Sequence, residues 1–479
     1  MKRSPFKKIG RTTAAIALLA ASPLAAFEVK PVILPIGCEV TVTLRAENDA
    51  EKKILAETPL YALSDQGTWS DGRFHGKTRW RPEWEKITLK RSGDTATFRI
   101  ELPGPHEGWH TFRFGEPDKK WNFDPGKTSE FMLYRLKPDL FKLRPWKGDI
   151  HQHSVRCGHA KLEPKVIPAY NRLVGMDFMA LSEHWRQAPS VEAIEAAKPW
   201  KCGLVLFTGE EFHTNNAFAL HSVAVGHSFG INAWQKAHPE EFERRVDEEL
   251  KKPVYRQYGM EPGLQRHAAM SMVLYRIARE QGAKVIAYSH PTGMIPGINV
   301  EAPSQSFRFF MLDNADYDAL ELPNIDTGSF HPRVDSIDRL MLMNAHVMEL
   351  IHRRGKLIPV VAASDCHDQR KKWFGSAVTV FFAEKCDVDS FAAAVKDRRT
   401  LALRDARKHT YLIFGASRLI KFQQFLEKCY WPEHDRLCRR QGELLLRLVT
   451  EDDRSVLPEI ERLAKAIDDY RESSYATAR

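Results

Sequence analysis

From residue 147 onward, short apolar runs alternate with helical patterns, and run after run ends in a histidine or a carboxylate. Strand candidates are 147–151, 177–182, 204–208, 222–226, 284–289, 319–322, 358–364 and 377–382. Between them lie helical patterns, such as 268–281, 334–353 and 388–396, with a helical excursion inserted at 231–265. Repeated strand–helix units build a parallel sheet or a closed barrel. In parallel barrels the strand exits converge on one mouth, where functional side chains gather. The polar residues at these exits are therefore the first place to look for chemistry.

The flanking regions read differently. Segments Glu39–Leu44, Lys86–Lys90, Ala96–Leu102 and Trp109–Phe114 alternate or are β-branched, separated by Gly- or Pro-containing turns, which predicts a small β-sandwich over residues 27–140. Trp69, Trp80, Trp84 and Trp109 in that region suit a sandwich core or an interface better than a carbohydrate face. Lys137–Trp146 reads as a linker. After residue 410 the pattern is helical, with Leu419, Phe422, Leu426 and Cys429 on one apolar stripe, and this tail is expected to pack on the α/β section or on another subunit.

Histidine placement carries the functional signal. The first exit reads Asp149-Ile-His151-Gln-His153, with His159 following. Residues two apart on a strand face the same way, so His151 and His153 can reach one centre. Later exits supply Glu183-His184, the pair Glu210-Glu211, His290-Pro291, and Asp365-Cys-His367, while His221 begins the strand candidate at 222–226. A single buried histidine is usually a hydrogen-bonded core residue. A whole series at strand exits is a ligand set, and imidazole with carboxylate suits zinc, iron or manganese.

These segments resemble the PHP (polymerase and histidinol phosphatase) family. Its opening H-x-H and following His or Asp match His151, His153 and His159. Its D-H matches Glu183-His184, with Glu in place of Asp. Its G-x-E matches Gly209-Glu210-Glu211, and its downstream His, H-P and D-x-H match His221, His290-Pro291, and Asp365 with His367. The resemblance spans about 147–405 and implies a distorted (β/α)7 barrel between the sandwich and the helical extension at 410–479. It further implies two or three divalent ions (Zn, Mn or Fe) held by His151, His153, His159, His184, Glu211, His221, His290, Asp365 and His367, with Asp365, Glu211 and His367 as catalytic members. His151, His153, Glu211 and Asp365 would surround one ion. Glu211 would reach a second with His221 and His290, and His159, His184, Asp365 and His367 would complete the cluster. The expected activity is phosphoester hydrolysis by a metal-bridging hydroxide in a trinuclear site. Hydrolysis of a carboxylic ester, amide or carbamate, or a non-catalytic metal- or ligand-binding module, are the alternatives.

The remaining features bound the substrate and the compartment. Arg156 and Arg186 lie within a few residues of proposed ligands and are candidates for holding an anionic group. No G-x-S-x-G elbow or Gly-rich phosphate loop occurs. Residues 1–26 carry five bases and no acid, then a short apolar stretch and small residues, the layout of a secretory signal peptide. Export to the periplasm or medium follows, with no transmembrane segment in the mature chain. Formal charge is +9, of which the leader holds five, and so mild a residue predicts a small anionic ester as partner and no nucleic acid. Seven cysteines form no CxxC pair, and Cys429 with Cys438 is the closest candidate bridge.

Overall fold

The computed structural model describes residues 27–63, 68–70, 73–75, 84–102, 107–116, 129–214, 221–290, 303–322, 348–404 and 412–477. The leader at 1–26, Trp80, Pro291 and most of the helical pattern at 334–353 lie outside these residues.

Residues 28–136 form two facing sheets. One is antiparallel, in the order β1 (Glu28–Lys30), β3 (Val40–Arg45), β9 (Thr95–Ile100), β8 (Lys90–Ser92). The other runs β2 (Ile33–Pro35), β11 (Ser129–Leu136), β10 (Gly108–Phe114), β4 (Leu60–Leu63), β7 (Trp84–Ile87). A hairpin of β5 (Thr68–Ser70) and β6 (Arg73–His75) stands apart. Burial on β10 alternates residue by residue, so His110, Phe112 and Phe114 turn inward. Phe98 of the first sheet meets Phe112 of the second at 5.6 Å between ring centroids. Trp84 is buried with Arg113 stacked over its ring at 5.0 Å, and Trp109 packs against the core.

The expected linker is an ordered part of the fold. Pro138 opens a helix, Pro138–Phe141, whose Leu140 is buried, and a strand begins at Arg144. Proline suits the first helical turn because its missing N–H would have no partner there.

Residues 144–415 form two further sheets. The first runs β14 (Val205–Phe207), β13 (Phe178–Ala180), β12 (Arg144–Asp149), β20 (Ala377–Ala383), β21 (Thr400–Arg404), β22 (Leu412–Gly415). The second runs β15 (Gly209–Phe212), β16 (Ser222–Val225), β17 (Val285–Tyr288), β18 (Ala319–Leu322), β19 (Val360–Ala362). Strands β12 to β14 and β17 to β19 are parallel, as the alternation predicts. Strand β16 departs from it, pairing antiparallel with both neighbours. The segment between β15 and β16 is too short for the helical crossover that a parallel return requires. Strands β20 to β22 are antiparallel as well.

Two isolated bridges join the sheets at the strand exits, Gln152 with Cys366 and His184 with Glu211. Close approach there depends on Gly209, where a Cβ would stand 2.8 Å from the Leu181 carbonyl oxygen.

The helical tail packs on its own chain. Phe422 and Phe425 lie 5.0 and 5.1 Å from Tyr134 of the sandwich, and Phe422 is 5.8 Å from Phe382 of β20. One apolar cluster thus joins all three sections. Helix Trp431–Glu451 crosses helix Ile167–Leu173 at Gly442, where a Cβ would meet Leu173 backbone at 2.4 Å. Cys429 and Cys438 are free thiols on successive helices. No described helix is long and apolar enough to cross a membrane.

A buried ionic network locks the tail to the entry end of β13. Asp177 accepts from His434 Nε2 at 3.0 Å and Arg471 Nη2 at 2.8 Å, with Arg172 Nη1 at 3.5 Å. Burial alone would raise the Asp177 pKa, but His434 and Arg471 outweigh it and hold the carboxylate ionised. Removing one partner of a buried pair leaves an uncompensated charge, so Arg471→Ala should cost about 3–5 kcal/mol. Urea unfolding measures this, and a loss below about 1 kcal/mol, the range of exposed pairs, would show that the network does not hold the tail.

Candidate metal centre

The strand exits opposite Asp177 carry the histidine series. Past β12, His151 and His153 project to one side and are 0% exposed, while Gln152 turns away to pair with Asn171. Backbone hydrogen bonds hold these exits side by side. His153 N donates to Cys366 O at 2.9 Å, Glu211 N to Glu183 O at 3.0 Å, and Ser289 N to His221 O at 3.2 Å. Three residues at the mouth take left-handed backbone: Trp185 (φ 60°), His290 (φ 24°) and Asp365 (φ 50°). Such conformations persist only where surrounding contacts impose them, and they cluster at functional sites.

Glu211 is the hub, fully buried among imidazoles. Its oxygens lie 3.2 Å from His151 Nε2, 3.4 Å from His153 Nε2, 2.7 Å from His184 Nδ1, 2.8 Å from His221 Nδ1 and 3.4 Å from His290 Nε2. Asp365 Oδ1 is 3.0 Å from His153 Nε2, 3.4 Å from His151 Nε2 and 3.8 Å from His367 Nδ1. His159 stacks on His367 at 4.5 Å between centroids. The residues named from the sequence as ligands therefore meet in one place.

Neighbouring Glu210 faces the other way. Its carboxylate accepts from Ile231 N at 2.7 Å and Asn232 N at 2.9 Å, at the start of helix Ile231–Ala237. Adjacent residues on a strand point to opposite faces, which is why one carboxylate of the pair serves the centre and the other a helix end. His227 Nε2 stands 3.7 Å from the same carboxylate.

Behind the imidazoles stand orienting groups. Glu183 accepts from Ser154 N and Ser154 Oγ and lies 3.3 Å from His153 Nδ1, so it aims His153. Glu321 on β18 does the same for His151, 2.9 Å from its Nδ1. Asp149 accepts from His151 N at 3.0 Å and Ser364 N at 3.2 Å, tying two exits together. Metal-binding histidines characteristically give their second nitrogen to such partners. Glu321 was not read from the sequence, although a lone carboxylate inside the apolar run Ala319–Leu322 was the available signal. His213 was also missed. It shares a face with Glu211 through i, i+2 spacing, and its Nε2 is 3.2 Å from His184 Nδ1.

The electrostatics divide the histidines into two sets. Burial opposes charge on His153, but hydrogen bonds to Asp365 and Glu183 outweigh it and raise its pKa to about 9. Burial is likewise overcome at His151 by Glu321 and Glu211, and at His290 by Glu211 and Asp365, raising both. Glu211, despite burial, is held well below the carboxylate range by His221 and His151, and Asp365 by His151 and His153. Burial and neighbouring imidazoles lower four more, His367 to about 4 and His213 to about 3, with His159 and His221 shifted the same way.

Several buried atoms here make no hydrogen bond: His151 Nε2, Glu211 Oε2, Glu321 Oε1 and His367 Nε2. Unpartnered lone pairs converging in a buried site are what a cation would satisfy. Potential ligand atoms within 4.8 Å of one another fall into groups including His151–His153–Glu211, His151–His290–Asp365, His159–His184–His367 and His184–His213–His221. This grouping differs in detail from the expected one, since His290 falls with His151 and Asp365, and His184 with His213.

The two candidate arginines sit on the surface beside this mouth. Arg156 donates to Glu192 at 2.8 and 3.1 Å and has Glu163 at 2.8 Å. Exposed Arg186 donates to the Arg156 carbonyl at 2.8 Å. Exposed Lys161 joins the same rim through its backbone, whose N–H donates to His367 O at 2.9 Å.

No family description matches the chain, and no curated protein matches it. Among solved structures it is similar to a two-domain protein of Bacteroides vulgatus containing a predicted PHP-like metal-dependent phosphoesterase. That pair has 20% identity over 61% of this chain and 72% of the other, with TM-score 0.38. An amidohydrolase from Chromobacterium violaceum has 15% identity over 55% of this chain and 99% of its own, with TM-score 0.29. Endonuclease Q, in complex with a duplex carrying an abasic lesion, has 12% identity over 68% and 92%, with TM-score 0.32. With every one of these TM-scores below 0.5, the chemistry rests on the side chains themselves.

Two outcomes test the centre. Metal content should fall in His153→Ala and Asp365→Ala, and unchanged content in both would argue strongly against it. Ligation also requires neutral imidazoles, so binding a divalent cation at pH 7 should release protons from His151 and His153. The release from His153 should fade as pH passes about 9, where it is already neutral. Titration calorimetry in buffers of different ionisation enthalpy reads this directly, and a buffer-independent heat at pH 7 would refute it.

Proposed function

We propose that the chain is an exported metal-dependent hydrolase of the PHP type, acting as a phosphoesterase on a small anionic ester. The observation that carries this reading is the single buried carboxylate of Glu211 with five imidazoles within 3.4 Å of it. In this reading residues 1–26 are a signal peptide, 27–140 a β-domain, 147–405 a distorted (β/α)7 barrel and 410–479 a helical extension. The barrel is supported by the strand run β12, β13, β14 with β15, β16, β17, β18, β19, returning to the first exit through the Gln152–Cys366 bridge.

His151, His153, His159, His184, Glu211, His221, His290, Asp365 and His367 would hold two or three divalent ions. Bound cations would supply Lewis acidity and a strong oxygen nucleophile at neutral pH. The chain's own residues prepare that chemistry. Glu183 and Glu321 fix the ring planes of His153 and His151. Asp365, at the mouth and held ionised, can orient an attacking water by accepting its hydrogen bond. Lys161 and Arg186 border the mouth and suit the oxygens of a phosphoryl group.

A panel of chromogenic phosphate monoesters and diesters, acyl esters and a carbamate, with and without chelator, tests the assignment. Chelator-sensitive cleavage of the phosphoesters is expected. Cleavage confined to the acyl or carbamate substrates would replace it with the second hydrolase reading, and no cleavage by metal-replete protein would favour a binding module. An oligonucleotide arm tests the small-substrate reading, which cleavage there would overturn. Export predicts that protein recovered outside the cytoplasm begins close to Phe27, and an intact Met1 start there would refute the signal peptide.

A further inference from the structure

His213 lies in the centre but has no role in the reaction as proposed. It is 6% exposed, its ring 4.0 Å from that of His221 and 4.4 Å from that of Trp185. Its backbone is clamped by Asn232, whose Oδ1 accepts from His213 N at 3.3 Å and whose Nδ2 donates to His213 O at 3.2 Å. The ring's two nitrogens have different partners. Nδ1 is 3.1 Å from the Thr214 carbonyl oxygen, and Nε2 is 3.2 Å from His184 Nδ1.

Donor and acceptor logic orders these contacts. A carbonyl only accepts, so His213 Nδ1 must carry the proton. In the neutral ring Nε2 is then an acceptor, and His184 Nδ1 must be the donor. Glu211 Oε2 lies nearer, at 2.7 Å, and also only accepts, so it calls for the same proton on His184 Nδ1. The chain reads His184 Nδ1–H to His213 Nε2, then His213 Nδ1–H to Thr214 O. We infer that His213 is a positioning residue that fixes the tautomer of His184 and leaves His184 Nε2 as the nitrogen offered to a cation. The tautomer is independent of the metal reading, whereas its purpose rests on that reading. His184 also shares a ligand group with His159 and His367, so its orientation governs the outer part of the centre.

Two measurements on the full-length chain test this. In metal-free protein labelled with nitrogen-15 histidine, long-range nitrogen–proton correlation should show His184 as the Nδ1–H tautomer, and His213→Leu should lose that pattern. In zinc titration His213→Leu should bind about 10- to 100-fold more weakly, while His213→Gln, whose side-chain carbonyl can accept the same hydrogen bond, should stay within about threefold of wild type. An Nε2–H tautomer in the wild type, a Leu variant binding like wild type, or a Gln variant as weak as Leu would each overturn the assignment. Wild-type protein that binds no zinc would refute the metal centre instead, and the tautomer measurement would still decide the role of His213.

Discussion

A carboxylate buried without compensation would neutralise itself by taking up a proton or destabilise the fold. Glu211 avoids both because imidazoles from five positions surround it. The rest of the centre follows from that requirement. Those imidazoles come from four strand ends, so the sheets have to curve until these ends meet. The bridges from His184 to Glu211 and from Gln152 to Cys366 are where that curvature is held.

Around the hub the molecule is built in layers. Glu183, Glu321, Asp149 and His213 do not compete for the central position; they grip the back of a ligand or its backbone. This separates two tasks that one carboxylate cannot do together, balancing central charge and aiming a ring. Glu183 reaches both Ser154 and His153 from one backbone position.

The opposite end of the strands carries a different kind of polar cluster. At Asp177 every charge has a partner within the protein: His434 and Arg471 from the tail, and Arg172 from the helix following the first exit. At Glu211 and His151, lone pairs remain without hydrogen bonds. Arg471 Nε in the first cluster is unpartnered too, so the difference lies in what is left over: a donor N–H there, and acceptor lone pairs that suit a cation at Glu211.

Much of this could be read beforehand. Period-two spacing put His151 with His153, the strand–helix alternation put polar residues at exits, and apolar stripes marked the tail helices. Such signals are local, set by backbone geometry within one element, so they survive in a linear string. Other features were out of reach. What Glu210 would meet turned on where the helix at Ile231 ends up, and the roles of Glu321 and His213 on neighbours distant in sequence. The linker that proved ordered, the reversed strand β16 and the tail's grip on Asp177 likewise depend on long-range packing. Residue type and spacing therefore determined which groups could bind a cation. Only the folded arrangement decided which of them face inward and which aim the others, because side-chain partnership is a property of space rather than of order along the chain.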